Sequence, residues 1–116
     1  MSTGLFTSTQ PRDENFVPLQ NTYRTISDGT KTVTSAGTRV PLVSSATPCK
    51  RVDMTASYTN TDMVVVGASS VVAAALTRRG VPLAPGQTYT FYPSDLADVY
   101  IDSVVSGEGV TFVYFV

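Results

Sequence analysis

Apolar residues that recur at every second position, in short runs broken by turn-forming residues, decide what residues 29–116 of this chain can become. In residues 51–58, Val52, Met54, Ala56 and Tyr58 share one face, while Arg51, Asp53, Thr55 and Ser57 share the other. A period of two predicts a strand with one side on a core and the other toward solvent. Near the end of the chain, Val110, Phe112, Tyr114 and Val116 point one way, and Thr111, Val113 and Phe115 point the other. A strand that is apolar on both sides is either central in a sandwich or part of a subunit interface, which makes Phe115 an expected partner-binding residue.

Between these two stretches the punctuation is that of an all-β fold. Residues 31–35 form a Thr/Val run ended by Ala36-Gly37, and residues 39–43 form another, marked by Pro41 as an edge strand. Residues 62–67 carry Met63-Val64-Val65-Val66. That run is expected to be a central strand covered on both faces, paired with the preceding strand across a turn at Asn60-Thr61. Pro85-Gly86 reads as the centre of a type II turn, followed by an alternating strand over 88–92. Residues 98–105 and 109–116 are expected to form a last pair, joined as a hairpin through Ser106-Gly107-Glu108-Gly109. Residues 68–79 contain Ala73-Ala74-Ala75-Leu76, which would suit a short helix, but Val71-Val72 is β-branched, and an extended or bulged segment is favoured. The predicted fold is an antiparallel β-sandwich, jelly-roll or immunoglobulin-like, of about eight short strands.

The chain divides near Asp28-Gly29. Residues 1–28 are polar and interrupted by Pro11 and Pro18, with apolar residues spaced as single hooks, among them Phe6, Phe16, Leu19 and Tyr23. The expectation is an extended N-terminal arm (1–28) on a β-sandwich domain (29–116), with those four residues as partner-binding hooks. The full length of 116 residues leaves room for one domain. Charged residues make up 15 % of the chain, below the roughly 25 % usual for soluble domains. A surface short of charge suits a protein covered by partners.

Chemistry is sparse. The sequence has no His and one Cys, Cys49, so general acid–base catalysis by imidazole, an intrachain disulfide and a thiolate–imidazole zinc site are all without ligands. Asp95, Asp98 and Asp102 lie close in sequence, and with Glu108 they supply oxygen ligands, but no loop has the alternation of a calcium-binding hand. No catalytic residue, metal or cofactor is expected. The net charge of −1 gives no field for nucleic acid or membrane. The pair Arg78-Arg79 fits contacts to acidic groups on a neighbour, or solvated charge, better than nucleic-acid binding. No run approaches the ~20 apolar residues of a membrane span, and MSTGLFTSTQ lacks the features of a signal peptide, so assembly in a cytoplasm is expected.

The second half of the chain resembles small virion proteins of tailed bacteriophages. The residues that carry the resemblance are Val64-Val65-Val66-Gly67-Ala68-Ser69-Ser70-Val71 and Arg79-Gly80-Val81-Pro82-Leu83-Ala84-Pro85-Gly86, then Asp95-Leu96-Ala97-Asp98-Val99-Tyr100-Ile101-Asp102 and Gly107-Glu108-Gly109-Val110-Thr111-Phe112-Val113-Tyr114. These motifs specify turns and core and transfer no catalytic residue. The resemblance implies a non-enzymatic structural component of a virion, such as a head-decoration (cement) or fibre protein. The leading expectation is a homotrimer that clamps the major capsid protein on the capsid exterior, assembled in the host bacterial cytoplasm. The alternative is a tail or fibre module that binds host-surface glycan, for which Tyr58, Tyr92 and Tyr100 are available.

Overall fold

A computed structural model describes residues 25–116, so Phe6, Phe16, Leu19 and Tyr23 lie outside the described residues. Eight strands follow one another: β1 (Ile26–Val33), β2 (Val40–Pro41), β3 (Arg51–Ala56), β4 (Val64–Gly67), β5 (Val81–Leu83), β6 (Thr88–Phe91), β7 (Tyr100–Ser103) and β8 (Glu108–Phe115), with a 3-10 turn at Leu96–Asp98 before β7. They form two four-stranded antiparallel sheets, ordered β1-β8-β3-β6 and β2-β7-β4-β5. The strands pair first with last: β1 with β8, β2 with β7, β3 with β6 and β4 with β5. This is a long antiparallel ribbon wrapped around a core, the strand order of a jelly roll.

That wrapping overturns two expected pairings. β4 does not pair with β3; it lies in the other sheet, between β7 and β5. Likewise β7 and β8 are not a hairpin, because the turn through Gly107 carries the chain from one sheet to the other. A Gly-rich turn specifies a reversal of direction, and the chain can reverse within a sheet or across the sandwich with the same local chemistry. β1 also starts earlier than the residues suggest. Ile26, Ser27 and Asp28 already pair with Phe115, Tyr114 and Val113, so these three belong to the sandwich and not to an arm.

The alternation itself holds. Val52, Met54 and Ala56 of β3 are buried and Arg51, Asp53 and Thr55 are half-exposed. They meet Val64, Val66, Leu83 and Ile101 from the second sheet and Val33, Val110 and Phe112 from the first in a single core. Each such aliphatic side chain, withdrawn from water, contributes roughly 1.5–3 kcal/mol before entropy is counted. β8 is central in its sheet, as its two apolar faces imply. β4 is central too, with Val64, Val65 and Val66 all fully buried.

β4 is buried on both faces because residues 68–80 fold back over the outside of the second sheet. There Val71 and Ala73 pack on Val65 and Tyr100 as a small second core. The segment is not a helix. It is a loop drawn together by the bridge between Val72 and Arg79 and by a tight turn closed by the Thr77 N–H on the Ala74 carbonyl. The predicted turn at Pro85-Gly86 is present: the Gln87 N–H reaches the Ala84 carbonyl at 2.9 Å, with Gly86 at φ +84°.

Candidate interaction surface

The two sheets differ in what lies outside them. The second is covered by residues 68–80, which are pinned from beneath by Asp102. This carboxylate on β7 is 1 % exposed and accepts N–H groups from Ala73 (2.9 Å), Gly37 (3.0 Å) and Ser103 (2.9 Å). Three aligned backbone donors replace the water that burial removed. Arg78 completes the brace, donating from Nε and Nη2 to the Ala73 carbonyl at 3.0 and 2.8 Å. Its guanidinium therefore serves the loop. Arg79 next to it is exposed and is held by its backbone to Val72. At the tip of this loop Leu76 is 100 % exposed.

Among the described residues nothing covers the outer face of the first sheet. Strand register sets its side chains in rows. Ile26, Phe115 and Arg51 form one row, and Asp28, Val113, Asp53 and Thr90 form the next. Thr30, Thr111, Thr55 and Thr88 form a third that crosses all four strands. The Thr55 and Thr88 hydroxyls are 2.8 Å apart, and the Arg51 guanidinium lies 3.0 Å from Asp53 and 5.1 Å from the centre of the Phe115 ring. Thr90 donates to Asp53 at 2.6 Å. The result is a flat surface of hydroxyls and methyls, with a shallow depression of about 600 Å³ over Asp28, Thr30, Asp53, Thr55 and Val113. Phe115, expected to bind a partner, stands on this face, whereas Arg78 and Arg79 lie on the opposite side of the sandwich. The three do not form one patch.

The carboxylates singled out by spacing do not form one cluster: Asp98 is exposed at the end of the 3-10 turn, and Asp95, Asp102 and Glu108 each hold backbone donors of their own. Asp95 caps the 3-10 turn, accepting from the Thr47 and Ala97 N–H groups at 2.9 Å each, and these donors hold its carboxyl below the usual range. At the other end of the sandwich Glu108 accepts from Thr61 N–H (2.6 Å), Thr61 Oγ1 (2.7 Å) and Asp62 N–H (3.2 Å). Burial alone pushes the Glu108 carboxyl up, but these donors together outweigh it and hold the group below its ordinary value. Beside it the buried Asn60 acts as a short piece of strand, donating to the Gly109 carbonyl and accepting the Gly109 N–H. Cys49 is buried just before β3, and burial pushes its thiol up, away from the reactive thiolate. No group of three or more acidic or sulfur ligands converges among the described residues.

The three tyrosines considered for glycan lie apart. Tyr58, 90 % exposed, follows the end of β3, and Tyr92, 71 % exposed, lies beside the opposite end of that strand. Tyr100 is half-buried under residues 68–80. Tyr92 stands alone at the rim of an apolar groove of about 460 Å³ between the sheets, with Asp98, Val81, Phe91 and Pro93. What sequence reasoning missed is the threonine row, since four threonines on four strands align only once the pairing is known. No protein-family model, curated protein or solved structure matches the chain.

Proposed function

We propose that this protein is a non-enzymatic structural component of a virus particle, a cement or decoration protein that binds the shell of the major capsid protein from outside. The observation that carries the reading is the asymmetry of the sandwich. One sheet is sealed by the chain's own residues 68–80, while the other presents, among the described residues, an open, flat face with Ile26, Val113 and Phe115 among threonines. A face of this kind suits docking on a broad protein surface better than enclosing a small molecule. Jelly rolls recur in viral capsid and lectin domains, a likeness of fold that agrees with the resemblance carried by the second half of the sequence. The subunits bind as an oligomer, and a closed ring of three suits the local threefold positions of a capsid.

The test is sedimentation of the full chain with shells assembled from the major capsid protein. The expected result is saturable recovery with the shells. A chain that stays in the supernatant at micromolar concentration, above shells that are intact, would sink the reading.

The groove beside Tyr92 favours a second one, a fibre or tail module that holds a saccharide with an aromatic ring and the Asp98 carboxylate on its rim. It predicts binding on a glycan array, reduced by Tyr92→Ala.

A further inference from the structure

The two sheets have four outer edges, and three of them are protected. β2 has two residues and includes Pro41, and β5 has three with Pro82 at its centre. β6 has four residues and runs out at Tyr92-Pro93. Short strands and proline are the usual means by which a sheet avoids pairing with another chain. β1 has neither. It is eight residues long, contains no proline and, among the described residues, pairs on one side only, with β8.

The direction of its free groups follows from the register. The Val116 N–H bonds the Thr25 carbonyl at 2.9 Å, so the odd-numbered residues of β1 turn their backbone groups toward β8. Ile26, Asp28, Thr30 and Thr32 therefore turn an N–H and a C=O each toward the open edge, and all four are exposed. No hydrogen bond to these groups occurs among the described residues.

We propose that the β1 edge is a self-association site, at which two copies of this chain join β1 to β1 in antiparallel fashion about a two-fold axis through Gly29. The strand is complementary to itself in this register. Asp28 comes opposite Thr30 of the second copy, whose hydroxyl donates to the carboxylate, and Ile26 comes opposite Thr32. On the other face Ser27 comes opposite Lys31. The strand carries one charge of each sign, and no like charges face each other. At the axis Gly29 meets Gly29, where an antiparallel pair not joined by hydrogen bonds brings side chains closest. Gly29 is already bare because a Cβ there would lie 2.7 Å from the Phe112 ring, and that bareness lets the two backbones approach at the centre. The product is one eight-stranded sheet, which doubles the open threonine-bearing face on one side. The contact is two-fold and isologous, separate from any ring of three. Combined with such a ring it gives six subunits.

The test uses the full chain. Light scattering after size exclusion is expected to give a mass of two chains or an even multiple. Hydrogen exchange is expected to find the Ile26, Asp28, Thr30 and Thr32 amides slow, and faster on dilution as the mass falls. Thr30→Pro removes an edge N–H without touching the β8 ladder and is expected to halve the mass with the far-UV spectrum unchanged. A monomer, a trimer, or an even mass with fast edge amides would each overturn the proposal. So would slow edge amides in a monomer, since another segment of the same chain would then occupy the edge. Should Thr30→Pro fail to fold, the mass and exchange of the unaltered chain still decide. Shell binding is a separate readout, so loss of the two-fold contact leaves the decoration reading standing.

Discussion

At the scale of single residues, the fold depends on a few positions where backbone and carboxylate do specific work. Gly80 sits at φ +111° as the chain leaves residues 68–80 for β5, and a Cβ there would lie 2.7 Å from the Val66 carbonyl and 2.8 Å from Val71 Cγ2. Gly80→Ala is therefore expected to cost roughly 2–4 kcal/mol in denaturant melts, combining left-handed strain with a clash in a packed region. Gly86, at φ +84° with no atom within 4 Å of its added Cβ, isolates the backbone part; Gly86→Ala should cost only about 1 kcal/mol. Equal losses at the two positions would refute the clash. Asp95 and Glu108 make a second residue-scale prediction. Both carboxyls are held below their ordinary values in the fold, so their contribution is present above the unfolded carboxylate range, near pH ~4. It disappears as pH falls through the lower folded values. Thermal melts should show stability dropping in that acid window, and the double variant Asp95→Asn with Glu108→Gln should show a shallower drop.

At the scale of elements, the decisive device is Asp102, which ties residues 68–80 to the second sheet. Asp102→Ala leaves the Ala73 and Gly37 N–H groups without their acceptor over a closed surface, a loss of roughly 2–4 kcal/mol. Hydrogen exchange should then speed up at Val71 and Ala73 before the strands of the first sheet respond. Uniform acceleration through both sheets would mean that the loop and the sandwich melt together. The elements also show what a sequence can disclose. Alternation in β3 and β8 was legible, since a period of two is written in Val52, Met54 and Ala56 and again in Val110, Phe112 and Tyr114. Strand partners were not. Asn60-Thr61 and Gly107 mark reversals, and in this wrapped ribbon every consecutive pair of strands except β4 and β5 falls in opposite sheets, so neighbours in sequence are poor guides to neighbours in space. Asp102 was hidden for a related reason. Its closeness to Asp95 and Asp98 in sequence suggested only a supply of oxygen ligands, while its donors come from Gly37 and Ala73, which are remote in sequence. Phe115 was placed correctly on the second face of β8, but the threonines that surround it come from all four strands of the sheet.

For the whole molecule, the open face of the first sheet must be the working surface if the protein decorates a shell, and one substitution separates that role from folding. Val113 lies at the middle of the face, 38 % exposed, between Asp28 on β1 and Asp53 on β3. Val113→Lys replaces an exposed apolar side chain with a cation flanked by two carboxylates, which favours the folded subunit or leaves it within about 0.5 kcal/mol. The same change sets a long hydrated side chain in the centre of a flat docking surface, where interfaces concentrate their binding energy and tolerate charge least. Shell affinity should therefore fall by a factor of ten or more in sedimentation, with the melting temperature held to within a few degrees. A matched substitution on the sealed side, Leu76→Ser at the tip of residues 68–80, removes the most exposed apolar side chain among the described residues without touching the open face. It should leave shell binding as it was. If Leu76→Ser abolished binding and Val113→Lys did not, the protein would grip its partner with the braced loop, and the assignment of the two sides of the sandwich would have to be reversed.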